Sequence, residues 1–185
     1  MPLHHPKVIL LDRDGVINKD SPDFVKTKDE WQALPGSLEG IAELYKTGFI
    51  LGIATNQSAV ARGLITIDTL WGIHQKMLYE IQLAGGYVVK IFFCLHGPND
   101  NCGCRKPKPG LLIQAAEQFA CGFGNMIFIG DSKRDIEAAR AVGARPVLVR
   151  TGNGRDTEKA LQDASLEVHD DLRAAATALI AEHTA

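Results

Sequence analysis

No stretch of this 185-residue chain is long and apolar enough to cross a bilayer, which takes about 20 predominantly apolar residues. The first apolar run, Val8 to Leu11, stops at Asp12 and is too short for a signal-peptide core. A soluble, cytoplasmic protein is therefore expected. Neither sign of charge dominates, since 20 Lys and Arg face 22 Asp and Glu for a net charge of -2. That argues against nucleic-acid binding through bulk charge, so an anionic substrate has to be met by local cations. Aromatic residues are scarce at 6%, which leaves little with which to stack a single strand. No internal repeat, low-complexity tract or assembly signal is visible, and a monomer is the default expectation. Only four cysteines are present, and three of them (Cys94, Cys102 and Cys104) crowd together with His96 within 11 residues. In a chain read as cytoplasmic, such clustering favours a metal over disulfides. His4 and His5 are given no role.

Short apolar runs alternate with helical patterns. The runs are Val8–Leu11, Phe49–Ala54, Val88–Phe93, Met126–Ile129 and Pro146–Val149, each short enough for a strand buried on both faces. Between them, Leu38 to Tyr45 forms one amphipathic stripe, with Ser37 as its expected N-cap. Leu70 to Ile81, Leu111 to Phe119, Ile136 to Val142 and Leu172 to Ile180 form others. Strands alternating with helices predict an α/β chain, a three-layer, Rossmann-like parallel sheet. Residues 1–185 are read as one domain. In such sheets ligands bind beyond the carboxyl ends of the strands. Asp12, Thr55, Cys94 and Asp131 all fall at that edge. The polar connection from Lys19 to Pro35 is longer than a simple link requires and reads as a binding loop. Residues 151–157 read as a surface loop.

Four segments at this edge carry chemistry. Asp12-Arg13-Asp14-Gly15 sets two carboxylates where they can converge on one cation or reacting group, although a solvated turn would use the same residues. Thr55-Asn56-Gln57-Ser58 offers hydroxyls, amides and backbone N–H groups at an expected helix start, a phosphate cradle or simply a capping cluster. Arg105-Lys106-Pro107-Lys108 brings three cations ahead of a helix, of which Lys106 can neutralise a phosphoryl oxygen. Gly130-Asp131-Ser132-Lys133-Arg134-Asp135 places Asp131 where it can complete a hard-cation site with Asp12 and Asp14. Helix capping also accounts for Asp131 and Asp135. Separately, Cys94-x-His96 and Cys102-x-Cys104 form a closed set of four ligands suited to structural Zn²⁺, in a loop (94–104) that runs directly into Arg105 and Lys106. Cys121 stands apart and reads as a small core residue.

Taken in order, these motifs resemble those of the haloacid dehalogenase superfamily over Val8 to Val149. The resemblance implies a Mg²⁺-dependent phosphatase. Asp12 is then the nucleophile, and Asp14 the general acid and base. Thr55 and Lys106 hold the phosphoryl oxygens, with Asp135 orienting Lys106. Mg²⁺ sits on Asp12, on the backbone carbonyl of Asp14 and on Asp131. The stretch between Thr55 and Lys106 leaves no room for a large cap. With the zinc loop, the motifs are similar to those of the heptose bisphosphatase and histidinol-phosphatase subfamily. By that resemblance Asn56, Gln57, Ser58, Arg105, Lys106 and Lys133 touch a small phosphorylated sugar. Ala59 and Leu95 depart from the subfamily pattern, which usually has Gly and Pro there. The competing readings are a histidinol-phosphate phosphatase, a polynucleotide 3′-phosphatase and a non-catalytic, zinc-stapled phosphate-binding module.

Overall fold

The computed structural model describes residues 7–184; His4 and His5 lie outside the described residues. Six strands form one parallel sheet: β1 (Val8–Leu11), β2 (Ile50–Asn56), β3 (Lys90–Cys94), β4 (Met126–Gly130), β5 (Arg145–Val149) and β6 (Glu167–His169), in the order β3-β2-β1-β4-β5-β6. Six helices connect and cover them: α1 (Ser37–Lys46), α2 (Ile67–Leu83), α3 (Gly110–Gln118), α4 (Lys133–Val142), α5 (Gly154–Leu161) and α6 (Leu172–Thr184). This is the expected three-layer arrangement.

The period of two in each strand divides the core. Ile9, Leu11, Leu51, Ile53, Ile127 and Ile129 face a cluster shared with residues of α1, α2 and α6. Val8, Leu10, Ala54, Phe92, Met126 and Phe128 face another, shared with α3 and α4. Every side chain of β1 is buried, which is why its sequence shows no polar alternation.

Five strands were legible as apolar runs, with shifted ends. β2 extends through Thr55 and Asn56, because pairing with β3 continues to Asn56 and Cys94. The sixth strand and α5 were not anticipated. β6 has three half-buried residues, and α5 occupies much of the segment read as a surface loop. Ser37 is the first residue of α1 rather than its N-cap; its hydroxyl donates to the carbonyls of Ile17 and Leu34. No helix opens at Gln57 or Ser58 either. Turns follow Ser58, and α2 begins after Thr66, whose hydroxyl accepts from the Thr69 N–H.

The register sets the working edge. Leu11 pairs with Ile53 on one side and Ile129 on the other, and the Asp12 N–H donates to the Ile129 carbonyl at 2.9 Å. Asp12 thus leaves β1 beside the last residues of β2 and β4. The chain then reverses through Gly15 at φ 81°, where a Cβ would lie 2.1 Å from the Asp131 carboxylate; only glycine fits that approach. The residues between Thr55 and Lys106 are taken up by turns, α2, β3 and the Cys/His loop.

Candidate active site

A cleft of about 210 Å³ opens over the carboxyl ends of β1, β2 and β4, lined by Asp12, Asp14, Thr55, Gln57, Arg105 and Lys106 among others. Lys106 is its electrostatic pivot. The side chain is 2% exposed, and its ammonium lies 2.9 Å from Asp12 Oδ1, 2.7 Å from Asp135 Oδ1 and 2.9 Å from the Ala54 carbonyl. Burial works against the charge, but Asp12 and Asp135 outweigh it and hold Lys106 above its ordinary value. It is a fixed cation beside a carboxylate that faces the cleft.

Asp135 serves both ends of this contact. Its Oδ1 meets Lys106, while its Oδ2 accepts from the N–H and hydroxyl of Ser132 at 3.0 and 2.6 Å. Capping of α4 and support of Lys106 are one arrangement, so the two readings of this residue do not compete.

Burial pushes the Asp12 carboxyl up to about 8. Lys106 opposes the shift, and the carboxylates of Asp135, Asp131 and Asp14 add to it. Asp131 is likewise raised, to about 6, by burial and the Asp135 charge, against hydrogen bonds from Asn153. Asp12, Asp131 and Asp135 each bring an oxygen within 4.8 Å of the others. Crowded, buried, hard oxygen donors of this kind fit a divalent cation such as Mg²⁺. Asp135 is committed to Lys106 and Ser132, which leaves Asp12 and Asp131 as the donors. Cation binding requires both as carboxylates, and burial opposes that at each. Mg²⁺ affinity is therefore expected to rise with pH, and binding to release protons. Calorimetry in buffers of different ionisation enthalpy measures this directly; the same heat in every buffer would contradict it.

Asp14 behaves in the opposite way. Burial alone would raise it, but the Arg13 guanidinium and hydrogen bonds from Asn18, Arg13 and Gln57 hold it below its usual value. Arg13 donates to both carboxylate oxygens, Asn18 Nδ2 to Oδ1 and Gln57 Nε2 to Oδ2. Two aspartates two residues apart thus have divergent proton affinities, and in this arrangement Asp14 is the one held ionised.

The other expected contacts divide. Gln57 lines the cleft but spends its amide on Asp14 and on the Thr55 hydroxyl, 3.0 Å away. Asn56 also lines it, while its amide clasps the backbone of Lys106 from both sides, at 3.0 and 3.1 Å. Ser58 and Arg105 line the wall. Lys133 does not: its side chain is 62% exposed and lies 3.5 Å from Glu137. The next residue, Arg134, lines the cleft instead. Asp20, Ser21 and Phe24 come from the long loop flagged by its length, whereas Asn153 was missed. The Asn153 backbone and side-chain N–H groups donate to Asp131 Oδ2 at 2.7 and 3.1 Å, an arrangement with no signal in a segment that read as a plain loop.

Beside the cleft, Cys94, His96, Cys102 and Cys104 bring one ligand atom each within 4.8 Å of the rest. Cys94 Sγ lies 3.7 Å from Cys102 Sγ and 3.5 Å from His96 Nδ1, and Cys104 Sγ lies 3.2 Å from Cys94 Sγ. Zinc–sulfur bonds of about 2.3 Å in a tetrahedron imply sulfur–sulfur edges of about 3.8 Å, close to this spacing and far from a disulfide. Burial pushes the Cys94 thiol up to about 12, so a thiolate there calls for a cation. The donor set fits zinc.

Comparison with known proteins agrees with this chemistry. A HAD-hydrolase-like family model matches residues 103–175. The chain is 49% identical over 175 residues to the D-glycero-beta-D-manno-heptose-1,7-bisphosphate 7-phosphatase of Pseudomonas putida, covering 94% of this chain and 99% of that one. It is 47% identical over 178 residues to the enzyme of the same name from Bordetella bronchiseptica, covering 95% and 99%. The crystal structure of D,D-heptose 1,7-bisphosphate phosphatase from B. bronchiseptica, complexed with magnesium and phosphate, superposes with a TM-score of 0.91 at 47% identity, over 95% of this chain and 99% of that one. With matches this high over nearly the full length, the chain belongs to the haloacid dehalogenase-like hydrolases, in the family of the D-glycero-beta-D-manno-heptose-1,7-bisphosphate 7-phosphatases.

Proposed function

We propose that this phosphomonoesterase removes the 7-phosphate of D-glycero-β-D-manno-heptose 1,7-bisphosphate through two displacements on Asp12. The observation that carries the reading is a cleft-facing carboxylate held 2.9 Å from a buried ammonium, in a chain up to 49% identical to enzymes named for this reaction. An Asp12 oxygen attacks phosphorus, the bond to the sugar oxygen breaks, and that oxygen takes a proton from Asp14, which enters the step as the acid because the charge of the bound phosphate raises it from the value its donors set in the empty cleft. Asp14 then takes a proton from water, which attacks the aspartyl phosphate and releases inorganic phosphate and free Asp12. Thr55 and Lys106 hold the phosphoryl oxygens throughout, and Asp135 keeps Lys106 aimed. Mg²⁺, held by Asp12, Asp131 and the backbone carbonyl of Asp14, supplies positive charge that offsets repulsion between nucleophile and phosphate. Zn²⁺ on Cys94, His96, Cys102 and Cys104 is structural.

The substrate reading rests on the cleft mouth. Burial and the neighbouring charges of Arg134 and Arg62 push Arg105 below its ordinary value. Arg105 and Arg134 both line the cleft, and guanidiniums that repel one another at its rim favour a ligand with a second anionic group. Histidinol phosphate has one phosphate and a cationic end, and is the less suited ligand. We further infer that residues 1–185 act as one domain, as a cytoplasmic monomer that needs neither nucleic acid nor membrane; no helix among the described residues is long and apolar enough to cross one.

Phosphate release from heptose 1,7-bisphosphate and histidinol phosphate, measured side by side with Mg²⁺, tests the proposal. The heptose is expected to be preferred about 100-fold or more in kcat/KM, roughly 2.7 kcal/mol of transition-state binding. The reverse preference would keep the mechanism and reassign the substrate.

A further inference from the structure

Arg13 stands between the two motif aspartates, and the reaction as derived gives it no task. Its side chain is buried, at 2% exposure, and a guanidinium is withdrawn from water only where partners meet its donors. Nε lies 3.0 Å from Asp14 Oδ1, and Nη2 lies 2.8 Å from Oδ1 and 2.9 Å from Oδ2. The remaining nitrogen, Nη1, faces Nε2 of His74 at 3.4 Å. His74 is wholly buried on α2 and sits edge-on to the rings of Trp71 and Phe93. Burial and the Arg13 charge push it down to about 3, so its imidazole is neutral and its Nε2 is a lone-pair acceptor. The tautomer that accepts there carries its proton on Nδ1, which has no partner among the described residues. A leucine at this position would avoid that cost, so what the imidazole does for Arg13 is the physical case for a polar group here.

The need for an anchor follows from the neighbours. Arg13 donates its backbone N–H to Asp12 Oδ1 at 2.7 Å and its guanidinium to Asp14, so a swing of its side chain would shift Asp14 relative to the nucleophile. We propose that Arg13 is a positioning residue for Asp14 and that His74 seats Arg13, so that the pair aims the side chain that gives its proton as the acid and recovers one as the carboxylate. The inference rests on the acid–base reading of Asp14 given above.

Leaving-group dependence separates this role from general support of the fold. A sugar or alkyl oxygen departs only with a proton from Asp14, whereas p-nitrophenolate departs without one. The constant kcat/KM covers that step and excludes hydrolysis of the intermediate. Two variants are compared, with melting temperature and Mg²⁺ binding followed as controls. His74→Leu is expected to lower kcat/KM for an alkyl phosphate about 10- to 30-fold and for p-nitrophenyl phosphate less than about threefold, as mis-aimed general-acid catalysis would. His74→Gln, whose amide oxygen can accept from Arg13, is expected to recover most of the loss. Equal losses on the two substrates in His74→Leu, or His74→Gln no better than His74→Leu, would overturn the proposal. Should the leucine variant not fold, the glutamine variant must still keep near-normal discrimination between the substrates. Asp14→Asn distinguishes the two levels: a selective loss there with an unselective one in His74→Leu defeats the positioning role alone. Equal losses in Asp14→Asn defeat the acid–base reading, and the positioning role with it.

Discussion

Asp12→Asn protein is expected to release phosphate at least about 10⁴-fold more slowly than the natural chain, the order of loss when a covalent nucleophile is removed, while melting at the same temperature or higher. The two halves of this result come from one environment. Asp12 sits among the carboxylates of Asp135, Asp131 and Asp14, and burial with their repulsion raises its pKa to about 8. A group whose folded pKa is raised binds protons more readily folded than unfolded. Ionised Asp12 therefore opposes folding, increasingly as pH rises from about 4 to 8. The isosteric amide removes that charge. Lys106 does not become an orphan, because Asp135 at 2.7 Å and the Ala54 carbonyl at 2.9 Å still hold it. The nucleophile is thus a site where reactivity and stability pull apart. Phosphate release in single turnover and a melting scan without Mg²⁺ at pH 8 would check both halves. Retained turnover would end the aspartyl-phosphate reading, and a large drop in melting temperature would show that the Asp12 charge supports the fold.

How much of this was legible in advance depended on whether one residue type at one strand end carries the information. Asp12, Thr55 and Asp131 were readable because each follows a buried apolar run, and register in a parallel sheet converts that position into proximity. The Cys/His loop was readable because its four ligands are local in sequence. β6 and α5 were not, since Glu167–His169 is short and half-buried, and α5 opens after Asn153 with no side-chain cap. Arg134 and Lys133 are neighbours on α4, about 100° apart around its axis; only the helix's rotation decides which enters the cleft, and composition does not reveal it. Gln57 and Asn56 illustrate another limit. Their amides read as ligands for substrate, but the fold turns them onto Asp14, Thr55 and the Lys106 backbone, contacts 43 and 50 residues away in sequence for Asp14 and Lys106.

Those Asn56 contacts tie the end of the Cys/His loop to the catalytic cleft. Stripping zinc is expected to lower the melting temperature by at least about 10 °C, since loss of several kcal/mol shifts a chain of this length by about 2–4 °C per kcal/mol, and to cut phosphate release about 10-fold or more. The loop has little else to hold it. Its internal contacts include Lys108 Nζ to the Cys102 carbonyl at 2.8 Å, Arg105 Nη1 to the His96 carbonyl at 3.1 Å and Gly110 N–H to the Gly103 carbonyl at 3.2 Å. Its apolar anchorage is chiefly Cys94, at the end of β3, and the packing of Cys102 and Cys104 beside it. Without a cation, three thiols and an imidazole within 4.8 Å of one another are poor partners, and Cys94, buried with its pKa near 12, stays a neutral thiol. The loop then loosens from its C-terminal end, which is Arg105 and Lys106. Lys106 is also held by Asn56 and Asp135, so activity should weaken more than vanish, and Zn²⁺ but not excess Mg²⁺ should restore it. Metal analysis is expected to find one zinc per chain. Protein purified without chelator that carries no zinc, yet melts and turns over normally, would show that the loop holds Lys106 through its hydrogen bonds and packing alone.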